Sequence, residues 1–296
     1  MKLYAPSYYK DFKCIADKCN HSCCIGWEID IDEDTLKKYK SLKSGYGIAV
    51  AQSISTENAP HFKLSSHDRC PHLDGRGLCK IIINLGEDYL CDICREHPRF
   101  YNYTTTSVEV GLGMSCPEAA RLILSSCDYS DVFEIGERDA VADSAEFDGR
   151  HHRCEIYEIL KKRELSYDAR LEEIYRRFSQ NAENDGKWLE IIDSLEYLDA
   201  EHKRMFMNYS SKKRPKAKEF EEYLERFLAY LVYRHCTEAF DKEDFCLRLG
   251  FCLFCERLLS SLICSEKAVT LDEVAIFARV ISEEIEYSED NTLALM

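Results

Sequence analysis

Hydrophobic and polar positions follow two different rhythms along this chain, and the change of rhythm divides it. Up to about residue 127 the runs are short and punctuated. Trp27 to Asp32 reads WEIDID, apolar and acidic in turn, the period-2 signature of a strand with one buried face. Asp32 to Lys43 takes a helical period, with Asp32 or Asp34 placed to cap it and acids leading lysines along it. Gly45, Gly47 and the polar run Ser53 to Pro60 predict a loop, and Ser107 to Leu112 a second strand. SCPEAARLILSSC predicts a helix with Pro117 in its first turn and Cys116 at its mouth, where a thiolate is stabilised. A polar, Gly-dotted segment over 128–150 predicts a linker. After it nearly everything has helical period, with helices expected near 152–164, 168–182, 186–198, 217–236, 241–265 and 270–288, and a basic loop, SKKRPKAK, at 211–218. The expected fold class is therefore mainly α: an N-terminal α+β cysteine-rich metal-binding domain (1–127), a linker (128–150) and an acidic all-helical domain (151–296).

Charge sharpens this division. The net charge is −15. Residues 1–126 hold 15 Lys and Arg against 16 Asp and Glu, which leaves 24 against 38 of the totals 39 and 54 for the rest. The acidity belongs to the helical part, where it suits either a solvated surface or a docking face for a basic, lysine-bearing protein. An acidic chain without clustered excess Lys and Arg is a poor general nucleic-acid binder. Residues 1–25 lack the pattern of a secretory leader, and no apolar run approaches the ~20 residues needed to span a bilayer. The expectation is a cytoplasmic protein with no membrane partner.

Sixteen cysteines in a reducing compartment point to metal ligands or reactive thiols before they point to disulfides. Nine of them fall before residue 117: Cys14, Cys19, Cys23 and Cys24 within CIADKCNHSCC, Cys70 and Cys79 on either side of a DGRG turn, the pair Cys91 and Cys94, and Cys116. Groups of about four thiolates suit an iron–sulfur cluster or structural zinc. The spacing matches neither a zinc ribbon nor the C-x3-C-x2-C loop of radical enzymes, whose next position here is Gly26. The later pair Cys252 and Cys255 lies on one helical face with Phe245, Leu249, Leu259 and Leu262. That pair, with Cys236, Cys246 and Cys264, is expected in the core.

Cys14-x4-Cys19-x3-Cys23-Cys24-x-Gly26-Trp27, then CPHLDGRGLCKI, then Cys94-Arg95 with Pro98-Arg99 behind it, then Ser115-Cys116-Pro117-Glu118-Ala119-Ala120-Arg121, closely resembles the flagellin lysine-N-methylase family. The first three elements also resemble a wider group of zinc- or iron-chelating proteins with a CxxCxxCC motif. The resemblance covers roughly residues 10–126. It implies methyl transfer from S-adenosylmethionine to lysine side chains of flagellin, with an iron–sulfur cluster held by Cys14, Cys19, Cys23, Cys24, Cys70, Cys79, Cys94 and Cys116. Eight such ligands would serve two four-iron clusters, or one cluster with thiols to spare. Cys91 falls where the family is not expected to require cysteine. The alternatives are a zinc-stabilised binding module without catalysis, and an iron–sulfur electron-transfer component.

Lysine methylation needs a neutral ε-amine, whose ordinary pKa of ~10.4 leaves it charged at neutral pH. Glu118 is a candidate base, or else a first-turn carboxylate of its helix. Arg95 and Arg99 are candidates to hold the carboxylate of S-adenosylmethionine, or else neutralise a cluster or Glu96. His72 and His97 are possible substitutes for a cysteine ligand. Tyr4, Tyr8 and Tyr9 are expected to pack in the core, with adenine stacking as the other use. No Gly-rich loop follows a strand, so the ordinary methyltransferase nucleotide motif is absent.

Overall fold

The strand Lys2–Pro6 finds its partners far along the chain. Leu3 pairs in parallel with Val108 of the strand Ser107–Leu112, and Ala5 pairs antiparallel with Phe133 of the strand Val132–Glu137. The strand Arg99–Tyr103 completes a four-stranded sheet on the other side of Ser107–Leu112, with Tyr101 opposite Val110. A parallel pair cannot be closed by a tight turn and needs a long crossover. Here the crossover carries the whole cysteine-rich segment.

The computed structural model describes residues 1–43, 45–139, 147–180 and 185–296. Two compact units make up the chain: Lys13–Pro98, and Met1–Phe12 together with Arg99–Met296. Composition places a change near residue 127, whereas the contacts join the first twelve residues, the sheet and the helices. The segment 128–150, expected as a linker, contributes the edge strand Val132–Glu137; its residues 140–146 lie outside the described residues.

The larger unit is mainly helical. The expected helices are present as Arg150–Leu160, Tyr167–Arg177, Asp185–Ser194, Lys218–His235, Lys242–Ser265 and Leu271–Ile281. The last continues into a π-helical turn, Ser282–Glu286. Two short helices, Ala200–Phe206 and Glu289–Leu295, were not expected. The longest, Lys242–Ser265, buries Phe251, Phe254, Leu258 and Leu259 on several sides, because helices surround it. Cys236, Cys252 and Cys255 are buried with them, as their apolar stripe predicts, and Cys246 and Cys264 are half-buried. Several buried charges are paired: Glu109 with Arg153 at 2.5 Å, Glu225 with Arg170 at 2.5 Å and with Arg163, and Glu286 with His235 at 2.7 Å. Among the described residues no helix is long and apolar enough to cross a membrane.

The smaller unit is held by little regular structure. Asp32 caps the helix Glu33–Ser41, its carboxylate accepting from Thr35 N at 2.8 Å. The stretch expected as a loop from Gly45 forms a helix, Gly45–Gln52, in which Val50 is fully buried. Its apolar residues, Ile48 to Val50, outweigh the two glycines. Trp27 to Asp32 buries Ile29 and Ile31 and exposes Glu28 and Asp30, the alternation the sequence predicts. It forms no strand of its own, since its neighbour His61–Phe62 is only two residues long and meets it through a single bridge, Asp30 with His61. Ile29, Ile31, Tyr39, Val50, Ile54, Phe62 and Ile81 share one small core with Cys70 and Cys91.

Candidate metal centre

Three separate turns bring sulfur to that small core. Cys23 and Cys24 lie in the turn before Gly26, and the backbone of Cys70 donates to Cys24 O at 2.8 Å, which ties the first cysteine segment to the second. Cys70 and Cys79 are then set by the DGRG turn. Asp74 accepts through Oδ1 from Arg76 N at 2.8 Å and from Leu78 N at 2.9 Å, and Gly77 takes a positive φ of 79°, which a side chain would strain. Cys91 caps the short helix Asp92–Glu96, which carries Cys94 one turn further on.

The thiols are close enough to govern one another's ionisation. Cys23 and Cys24 each shift the other's ionisation, as do Cys91 and Cys94. Cys24 also feels Cys70 and Cys79, Cys94 feels Cys24 and Cys70, and Cys70 feels Cys79 and Cys91. The neighbouring Cys24 brings Cys23 down to about 7, and Cys94 lowers Cys91. Cys24 and Cys94 are pushed up, first by those same neighbours and then by burial. Burial raises Cys70 to about 11. Six sulfurs that repel one another as thiolates make a site where a cation or a cationic cluster would be strongly favoured.

Among the described residues, no group of three or more His, Cys, Asp or Glu side chains is already arranged to hold a metal ion. In chemistry the donor set fits a thiophilic group, since it is all sulfur and offers no cage of carboxylates for calcium or magnesium. Loading it requires loss of the thiol protons.

The remaining expected ligands are distributed differently. Cys14 is exposed and Cys19 half-buried, on either side of the short turn Ala16–Lys18. Cys116 belongs to the larger unit, where it caps the helix Pro117–Ser125 with Pro117 in the first turn as expected. His72 is held by structure: Tyr46 Oη lies 3.0 Å from its Nδ1 and Ser53 Oγ 2.8 Å from its Nε2, and burial, followed by Lys80, brings it down to about 4. Both ring nitrogens are occupied, so it is no ligand in this arrangement. Cys91, set aside in the sequence, is 1% exposed and lies among the sulfurs. Its C-x2-C spacing with Cys94 was the signal.

Glu118 accepts from Arg121 Nε at 2.9 Å and Nη2 at 2.7 Å, so both its oxygens are engaged on its own helix. Arg95 pairs with Asp92 at 2.8 Å and donates to Leu90 O at 2.6 Å within the smaller unit. Arg99 lies in the larger unit, donates through Nε to Tyr9 Oη at 2.9 Å and rests against the Tyr9 and Phe12 rings. Tyr8 is buried in the core, as expected.

The chain is 31% identical over 140 residues to the flagellar biosynthetic protein FliU of Salmonella muenchen, an alignment covering 45% of this chain and 81% of that relative. It is also 32% identical over 130 residues to the lysine-N-methylases of Salmonella choleraesuis (strain SC-B67) and Salmonella typhimurium (strain LT2). The chain belongs to the flagellin lysine-N-methylase family. The methylase alignments take in 42% of this chain but 32% of each methylase, so this chain spans about a third of their length. No family model matches the chain, and no solved structure does.

Proposed function

We propose that this chain takes part in transferring methyl groups from S-adenosylmethionine to lysine side chains of flagellin, in the cytoplasm, with an iron–sulfur group held by the smaller unit. The observation that carries this reading is the gathering of Cys23, Cys24, Cys70, Cys79, Cys91 and Cys94 in a family whose named members include lysine-N-methylases. These six thiols are the holders, with Cys14 and Cys19 as further sulfurs of the same unit; Cys116, which the resemblance also brings, belongs to the larger unit. Bound there, an iron–sulfur group supplies a Lewis acid and one-electron redox capacity. The chain's own part is to deprotonate and position. A lysine ε-amine must lose its proton and its water before its nitrogen can meet a methyl group. Glu118, held by Arg121, is the candidate base, and the candidate carboxylate clamp is either Arg95 of the smaller unit or Arg99 of the larger one.

A second reading has an observation of its own. Cys70 and Cys91 are buried within the core of a unit poor in regular structure, which is where a closed structural zinc would stabilise a binding module.

Anaerobic purification, metal and sulfide analysis and an absorption spectrum separate the two. Iron with acid-labile sulfide, followed by S-adenosylmethionine-dependent methylation of flagellin, supports the first. Stoichiometric zinc without sulfide, from cells with cluster assembly intact, sinks the iron–sulfur mechanism in favour of the binding module.

A further inference from the structure

Far from the thiols in sequence, the helical unit contains a second cluster of chemistry that nothing so far has used. Arg257, on the long helix Lys242–Ser265, is 6% exposed. Among the described residues its guanidinium makes no hydrogen bond and no ion pair, and its Nε is fully buried without a partner. It lies over the ring of Tyr175, 5.5 Å from the centroid. The neighbouring acid cannot serve it fully. Glu256 spends Oε1 on Arg214 at 2.7 Å and on the Tyr167 hydroxyl at 3.3 Å, and its Oε2 has no hydrogen-bond partner.

Three further donors, two beside Arg257 and one across Phe254, are equally unused. Tyr175 Oη, Tyr209 Oη and Trp188 Nε1 are all buried without a hydrogen bond. They are linked through Arg257 and Phe254: Arg257 is the charge both tyrosines feel most, Trp188 stacks on Phe254 at 4.2 Å, and Tyr209 packs on the same Phe254 at 5.7 Å. Phe254 stands one helical turn before Arg257. Burial pushes Tyr175 up to about 12 and raises Tyr209, so both hydroxyls remain donors. Asp185 holds the chain beyond Tyr209 in place, accepting from Ser210 Oγ at 3.1 Å and from Ser211 N at 3.1 Å.

A buried guanidinium with a free Nε–H, two free hydroxyls and a free indole N–H present four unmade donors against one unmade acceptor, Glu256 Oε2. Leaving one such donor unmade is costly, and leaving four together is more so. The ligand that satisfies donors without adding its own is an oxyanion, and a guanidinium edge matches a carboxylate or phosphate oxygen pair. We propose that Arg257, Tyr175, Tyr209 and Trp188 form a binding site for the carboxylate or phosphate group of a small anionic ligand within the helical unit.

The chain has two tryptophans, so the Trp27→Phe variant leaves Trp188 as the sole reporter. Inorganic phosphate and acetate are titrated separately into this 296-residue variant at constant ionic strength, following fluorescence and thermal unfolding. The expected result is a saturable fluorescence change with a rise in Tm for at least one of the two anions, and the stronger of them identifies the headgroup. Arg257→Met should weaken that binding by ~10-fold or more, and Tyr209→Phe by a smaller factor. No saturable response in the folded protein means the donors hold water only and overturns the site. An equal response in Arg257→Met overturns it as well. Should Arg257→Met fail to fold, Arg257→Lys and Tyr209→Phe carry the same comparison.

Discussion

Cys91 stands at the N-cap position of the helix that carries Cys94, its own side chain in the core of the smaller unit and that of Cys94 packed against it. Cys91 is the least exposed of the six sulfurs, at 1%, and Cys94 is half-buried beside it. Cys91→Ser should therefore lower metal bound per chain as severely as Cys94→Ser. Cys252→Ala, in the apolar core of the other unit, should leave metal content unchanged while costing stability. Elemental analysis of the three purified variants checks this, and unchanged metal in Cys91→Ser would remove that residue from the ligand set.

The DGRG turn makes a milder prediction. Asp74 holds it through two backbone donors, Arg76 N and Leu78 N, on the segment between Cys70 and Cys79. Asp74→Ala should keep all the sulfurs yet hold them less well, so metal is lost faster to a competing chelator than from the unaltered chain. Release followed by a colorimetric indicator gives the rate. Equal rates would mean that the turn does not set the ligands.

Acid should loosen the helical unit through Glu286 and His235. Glu286 is buried, and although burial alone would raise it, Arg234, His235 and Ser282 hold it down at about 2. Burial also keeps His235 below its ordinary value, despite the Glu286 carboxylate 2.7 Å away. Both groups bind fewer protons folded than unfolded, so stability rises with pH across their range. The His235 contribution is present above the unfolded histidine value of 6.5 and fades as pH falls below it. The Glu286 contribution is present above 4.5 and fades toward 2. Denaturant midpoints from pH 7 to pH 3 should fall in both windows, and Glu286→Gln should flatten the lower one while costing ~3–5 kcal/mol at pH 7.

Gly149 precedes the helix Arg150–Leu160 with ordinary backbone angles, so its requirement is one of space. A Cβ there would stand 2.3 Å from the backbone oxygen of Cys236 and 3.4 Å from the Phe245 ring. Backbone cannot yield as a flexible side chain does. Gly149→Ala should cost ~1–3 kcal/mol, read as a lower denaturant midpoint at unchanged slope.

Local signals in the sequence determined local structure. The cap at Asp32, Pro117 in its first helical turn, the burial alternation of Ile29 and Ile31, the apolar stripe with Cys252 and Cys255, and most of the long helices follow from spacing and neighbouring residues alone. The identity of the family was legible for the same reason, since its cysteine motifs are short and contiguous. Tertiary structure decided what depends on distant partners. Lys2–Pro6 reads as nothing in particular until Ser107–Leu112 and Val132–Glu137 supply its hydrogen bonds, and that pairing makes the cysteine-rich segment a crossover. The place of Cys91 among the sulfurs, the capture of His72 by Tyr46 and Ser53, and the unpartnered guanidinium of Arg257 depend on side chains brought together by folding. Periodicity shows which face of an element is buried, whereas which polar groups meet there is set by how the elements pack.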